Sequence, residues 1–156
     1  MSYSHRDRDW FQRLRPLLEF DQLPTRTVHA WHDNELHAGD RWDDEIRTEL
    51  EAMDVFVCLL SYNFKSSTYI KTVEQPAAFK REKLKKTIII PLLLIKMDDR
   101  DIQDYKPFNP LPAWGKSWLC YKEEGGELDM ALKPIRTGLL DAVERVLRPS
   151  RRKSVT

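Results

Sequence analysis

The chain is poor in the features that many enzyme classes need. It has only five glycines in 156 residues. None of them forms GxGxxG or a P-loop, so dehydrogenase-type cofactor cradles and nucleotide triphosphate loops are excluded. There is no GxSxG, so the serine-hydrolase elbow is absent too. It has two cysteines, Cys58 and Cys120, each inside an apolar run. They read as buried thiols in a reducing compartment rather than as a disulfide framework. The longest apolar run, Ile88 to Ile95, contains Pro91 and is too short to span a bilayer. Charge is nearly balanced, 26 basic against 25 acidic residues, which argues against a dedicated nucleic-acid binder. "MSYSHRDRDW" is charged straight after Met1 and is no signal peptide. A cytoplasmic protein with no membrane segment is expected.

What is present is an alternation of elements. The length suits one domain with a real core, placed at residues 1–148, followed by a disordered basic tail at 149–156. "DRDWFQRLRPLLEF" has helical spacing, with Asp7 or Asp9 as cap and a kink or early end at Pro16. "RTVHAW" reads as a short strand and "HDNELHAGD" as a polar loop hinged at Gly39. "DRWDDEIRTELEAMD" is a helix capped by Asp40, with an Ile46, Leu50 and Met53 stripe. "VFVCLL" and "KKTIIIPLLLI" are continuous apolar strands, as expected when both faces are covered. A helix to about Leu84 separates them. A long proline-containing connection with one helical turn follows. "SWLCY" reads as a last strand. A closing helix presents Ile135, Leu139, Val143 and Val146, with its start near Pro134. Alternating strands and helices imply a parallel, doubly wound, flavodoxin-like sheet with helices on both faces.

Within "STYIKTVEQPAAFKR", Glu74 is the one acid ahead of Glu82. Thr72 to Gln75 fits a capping box, which would put Glu74 in a first helical turn where the dipole favours its ionised form. A helix starting nearer Thr68 is the competing reading. Acids are common at helix starts, so the position alone decides nothing. Yet open α/β sheets bind ligands at the carboxyl ends of their strands, where this segment begins.

Three histidines, His29, His32 and His37, raise the question of a metal. Residues three apart in a strand face opposite sides, and no cysteine or clustered carboxylate completes a tetrahedral set. No metal site is expected.

Three stretches fall in order: "SYSHRDRDW", "AWHDNELHAGDRWDDEI" and "LLSYNFKSSTYIKTVEQPAA". Together they resemble the bacterial TIR (Toll/interleukin-1 receptor) domain family, with its "SYSHKD", "L-x-x-G-x-x-W" and "LLSPNF" signatures. The likeness runs from about Ser2 to Leu147. It departs at Tyr62, where the family has proline, and at Met1, where the family has a strand ahead of "SYSH". Missing central pairing would leave backbone groups unsatisfied, so a displaced chain start is expected rather than an altered fold.

The resemblance implies a flavodoxin-like TIR fold with a mainly parallel five-stranded sheet. It also implies cleavage of the nicotinamide N-glycosidic bond of NAD+, as a glycohydrolase or ADP-ribosyl cyclase, in antiphage defence signalling. NAD+ would be a consumed substrate and no cofactor is needed. Glu74 matches the family's catalytic glutamate. Trp42 matches its aromatic beside the nicotinamide but could equally pack against the sheet, and Tyr69 could wall the same pocket or pack. Ser4, His5 and Asp33 are candidates for ribose or phosphate contacts; Ser4 and His5 could equally cap the next helix, and Asp33 could simply turn the chain. Asn34, Glu35, Leu36, His37 and Ala38 are candidates for a self-association loop. The implied partners are further copies of the chain and a separate sensor or effector protein. The alternative is a non-enzymatic adaptor working by homotypic TIR–TIR contacts. A weaker third is a nucleoside-cleaving enzyme.

Overall fold

A computed structural model of the chain describes residues 1–18, 42–113, 115–120 and 128–147, with the Trp42 side chain left out. The order is α1 (Arg8–Leu14), α2 (Trp42–Ala52), β1 (Val55–Leu60), α3 (Tyr62–Ser66), a π-helical turn (Ile70–Glu74) continuing into α4 (Gln75–Lys83), β2 (Ile88–Leu93) and α5 (Leu132–Leu147). The expected strand in "RTVHAW", the Asp40 cap and the 149–156 tail lie outside the described residues.

β1 and β2 are parallel, in register from Val55 opposite Ile88 to Leu60 opposite Leu93. Their apolar continuity has a direct cause, because side chains alternate between two covered faces. Val57, Leu59, Ile90 and Leu92 join a core with α1 and α5, built from Phe11, Leu14, Trp118, Ile135 and Leu139. Phe56, Cys58, Leu60, Ile89 and Leu93 join a second core with α2 and α4, built from Ile46, Leu50, Phe64, Ile70, Ala78 and Tyr105. The chain is therefore α/β with helices on both faces of a parallel sheet.

Ser2 stands beside β1 at the place of a first strand, forming a parallel bridge with Cys58. Its N–H donates to the Val57 carbonyl at 2.8 Å, and its own carbonyl accepts from Leu59 N–H at 3.0 Å. On the far side of β2, Leu111 forms a further parallel bridge with Leu92. Pro91 is tolerated within β2 for a simple reason. The Ile88 and Leu94 N–H groups donate to β1-side carbonyls (Asp54 and Leu60), whereas that of Leu93 donates to Leu111. Pro91 belongs with Leu93 in the outward-facing set, so its missing donor costs the β1 ladder nothing.

The expected last strand does not form across its described residues, 117–120. Ser117 Oγ and the Ser117 carbonyl both accept from Cys120 N–H, a local turn that competes with a ladder. Trp118 and Leu119 still donate to the Leu93 and Leu94 carbonyls. α1 ends at Leu14 and passes into a 3-10 turn, Arg15–Leu18, in keeping with Pro16. α5 buries Ile135, Leu139 and Ala142, while Val143 and Val146 are half-buried.

Candidate functional site

The carboxyl end of β1 is organised by a buried acid. Ser61 follows the last strand residue and caps α3, its Oγ accepting from Phe64 N–H at 3.0 Å. The same hydroxyl donates to Asp7 Oδ2 at 2.5 Å, and Asn63 Nδ2 donates to Asp7 Oδ1 at 2.7 Å. Asp7 is only 3% exposed. Its side chain makes no cap bond to α1; it ties the exit of the first-strand position to the exit of β1 instead. Ser4 is buried and caps the turn His5–Asp7, its Oγ accepting from Arg6 N–H at 3.4 Å. His5 is exposed. Of the two roles weighed for Ser4, capping is the one its hydrogen bond serves here.

Glu74 lies in a different setting from the capping-box reading. Helical backbone begins at Thr68, and Ser67 Oγ accepts from Ile70 N–H at 3.4 Å. Thr72 is mid-helix, its hydroxyl donating to the Thr68 carbonyl. Glu74 is thus beyond the first turn, and the helix dipole, which acts within that turn, is not what holds it. Pro76 supplies the reason for the local geometry. Lacking an N–H, it cannot close a bond to the Thr72 carbonyl. The helix widens just ahead of it, with Gln75 N–H donating to the Ile70 carbonyl across a π turn that ends on Glu74. Such turns recur at functional sites. Glu74 is half-buried, and Ser2 Oγ donates to its Oε2.

Tyr69, half-buried on the same helix, donates its hydroxyl to Asp43 Oδ1 at 3.0 Å. Arg47 Nε binds the other oxygen, Oδ2, at 2.8 Å. Asp43 is the second residue of α2, directly after Trp42, so the bond locks the start of α2 to the Glu74 helix. The Arg47 hydrogen bond, then that of Tyr69, holds Asp43 below its ordinary carboxyl value. Burial, the bond to Asp43 and the negative fields of Asp43 and Glu74 push the Tyr69 phenol well up. The field of Glu74 also reaches Cys58 and Tyr105, whose acidities are suppressed mainly by burial. Cys58 is therefore a neutral thiol, not a nucleophile. Among the described residues the buried Tyr105 hydroxyl makes no hydrogen bond of ordinary geometry, although the Cys58 thiol lies close enough to act on it.

The structure thus brings Glu74 and Tyr69 together on one helix and places Ser4 and His5 at the adjoining first-strand exit. The side chain of Trp42, and Asp33, Asn34, Glu35, Leu36, His37 and Ala38, lie outside the described residues, as do His29 and His32. Among the described residues no group of three or more His, Cys, Asp or Glu could hold a metal ion, and no helix is long and apolar enough to cross a membrane. Sequence reasoning missed Ser2, Ser61, Asn63 and Asp43, and took Asp7 only for a helix cap. All five fall within the motif stretches, which was a usable signal; which of them pair in space was not readable from those stretches.

The TIR domain family profile matches residues 1–118. The uncharacterized protein y4lF of Sinorhizobium fredii (strain NBRC 101917 / NGR234) is 26% identical over 153 residues, covering 94% of this chain and 44% of that protein. The chain therefore spans less than half the length of that relative. No solved structure matches the chain. The family match covers three-quarters of the chain and includes every residue of the Asp7–Ser61 and Ser2–Glu74 contacts: the chain belongs to the TIR domain family.

Proposed function

We propose that the chain cleaves the nicotinamide N-glycosidic bond of NAD+, as a glycohydrolase or an ADP-ribosyl cyclase. The observation that carries this reading is the half-buried Glu74 carboxylate, seated at a π turn and accepting a hydrogen bond from the Ser2 hydroxyl. Nicotinamide leaves easily because it departs as a neutral base. The C1′–N1 bond breaks with its electron pair going to the ring nitrogen, and positive charge builds on the ribose C1′ and O4′. An ionised carboxylate held beside that carbon stabilises the charge. Water then attacks C1′ and loses a proton, giving ADP-ribose; attack by a nucleophile within the same molecule gives a cyclic isomer.

In this reading Glu74 is the catalytic residue. Tyr69 and Trp42 bound the nicotinamide side, and His5, Ser4 and Asp33 supply polar contacts to ribose or phosphate. Residues 34–38 take part in assembly with further copies, which completes the site, and a separate sensor or effector links the reaction to antiphage defence. NAD+ is consumed and no cofactor is used. The test is incubation of purified protein with NAD+ over a range of protein concentrations, with products separated by chromatography. Release of nicotinamide with an equal amount of ADP-ribose or a cyclic isomer is expected. Assembly without NAD+ loss would favour the adaptor alternative.

A further inference from the structure

We propose that Ser2 is a positioning residue whose hydroxyl fixes the orientation of the Glu74 carboxylate. The inference rests on the reading of Glu74 as the group that stabilises ribose charge.

Ser2 is suited to this by its own rigidity. Its N–H and carbonyl are both bonded to β1, at Val57 and Leu59, and the residue is 5% exposed. The hydroxyl therefore starts from a backbone that the sheet already holds. It reaches a glutamate 72 residues away and donates to Oε2. A glutamate side chain has three rotatable bonds and loses freedom only where something holds its end. The π turn sets where the side chain of Glu74 begins, and Ser2 sets where it finishes.

The chemistry favours a hydroxyl over a cation in this role. A Lys or Arg would orient the carboxylate but cancel the negative charge that a developing oxocarbenium ion requires. A serine donates one hydrogen bond and leaves the net charge intact. A carboxylate can accept about four hydrogen bonds, so the one from Ser2 leaves acceptor capacity for a ribose hydroxyl.

The experiment compares Ser2→Ala and Ser2→Thr with the unsubstituted full chain. NAD+ turnover gives kcat and KM. The 13C resonance of the Glu74 carboxyl, assigned by its loss in Glu74→Gln, reports the contact without any need for turnover. Ser2→Ala should lower kcat about ten- to a hundredfold with KM little changed, as expected when a contact that matters chiefly in the transition state is lost. It should also move the Glu74 resonance. Ser2→Thr, which keeps the donor, should restore most of kcat and the resonance. An unmoved resonance in Ser2→Ala overturns the inference. So does equal loss of kcat in both variants with a matching fall in thermal midpoint, because that pattern is packing. If the unsubstituted chain cleaves no NAD+, the proposed function fails, and the resonance alone then decides whether Ser2 orients Glu74.

Discussion

The two ends of the β1–β2 pair are both polar, but they use polarity differently. At the amino-terminal end a guanidinium does the work. Arg81 donates to the carbonyls of Glu51, Met53 and Lys86 and to the Thr87 hydroxyl, and Thr87 donates to Met53 in turn. A cation here satisfies carbonyls at the end of α2 and favours the helix dipole. A groove of about 860 Å³ opens beside it, with Asp54, Glu82 and Asp141 set against Arg81, Lys85, Lys86 and Arg145. Towards the carboxyl end, hydroxyls and an amide donate to carboxylates: Ser61 and Asn63 to Asp7, Ser2 to Glu74. The first arrangement spends its donors on main chain and closes the fold. The second gives carboxylates hydrogen bonds from neutral donors, which suits the proposed stabilisation of a cationic transition state.

That contrast can be broken in four places. The largest expected effect is at Glu74. Glu74→Gln should reduce NAD+ turnover by about a hundred- to a thousandfold, the scale of losing a preorganised electrostatic group, with little change in thermal midpoint. Next is Asp7→Ala, which leaves the buried Ser61 hydroxyl and the Asn63 amide without their acceptor. It should cost about 2–4 kcal/mol in denaturant unfolding, the sum for two stranded polar groups, and should lower activity along with stability. Arg81→Ala, at the opposite end, should cost about 1–3 kcal/mol for lost carbonyl bonds while leaving turnover per folded molecule unchanged. Equal damage to activity at both ends would erase the distinction.

The smallest effect is expected at Tyr69→Phe, and it should depend on pH. Asp43 is held below its ordinary value in the folded state, so the contribution of its bonds to Tyr69 and Arg47 is present above the usual carboxylate range. It is lost as pH falls through the lowered folded value. Thermal midpoints of Tyr69→Phe and the unsubstituted chain should differ slightly at neutral pH and converge in strong acid. A difference that persists or grows in acid would contradict this assignment.

Packing offers a separate check of the other face. Gly138 in α5 lies against the Leu111 side chain, and a Cβ at that position would overlap it. Gly138→Ala should therefore destabilise by about 1–3 kcal/mol, as overpacking does, despite the better helix propensity of alanine. A stabilised variant in thermal unfolding would show that Leu111 yields freely.

Much of this fold was legible in residue order. β1 and β2 announce themselves as uninterrupted apolar runs because both of their faces are covered. Pro16 marks the end of α1 because a proline in the next turn removes a backbone donor. Glu74 was singled out by the motif around it, but its surroundings were not legible. Thr72 to Gln75 imitates a capping box, whereas Ser67 caps the turn and the consequence of Pro76 appears as a widened helix. The contacts that hold the acids are long-range: Ser61 is 54 residues from Asp7, and Ser2 is 72 from Glu74. Local patterns of propensity and periodicity carry no information about such pairs. "SWLCY" misled for the opposite reason, because Ser117 bonds its own neighbours at a place where apolar content alone suggests a strand.

The most direct test sets the two ends side by side. NAD+ loss and nicotinamide release would be measured by chromatography for the unsubstituted chain, Glu74→Gln and Arg81→Ala, at matched concentrations of folded protein. The account predicts turnover in the first and third and about a hundredfold or more less in the second. Undiminished turnover in Glu74→Gln, beside an equally folded unsubstituted chain, would contradict it.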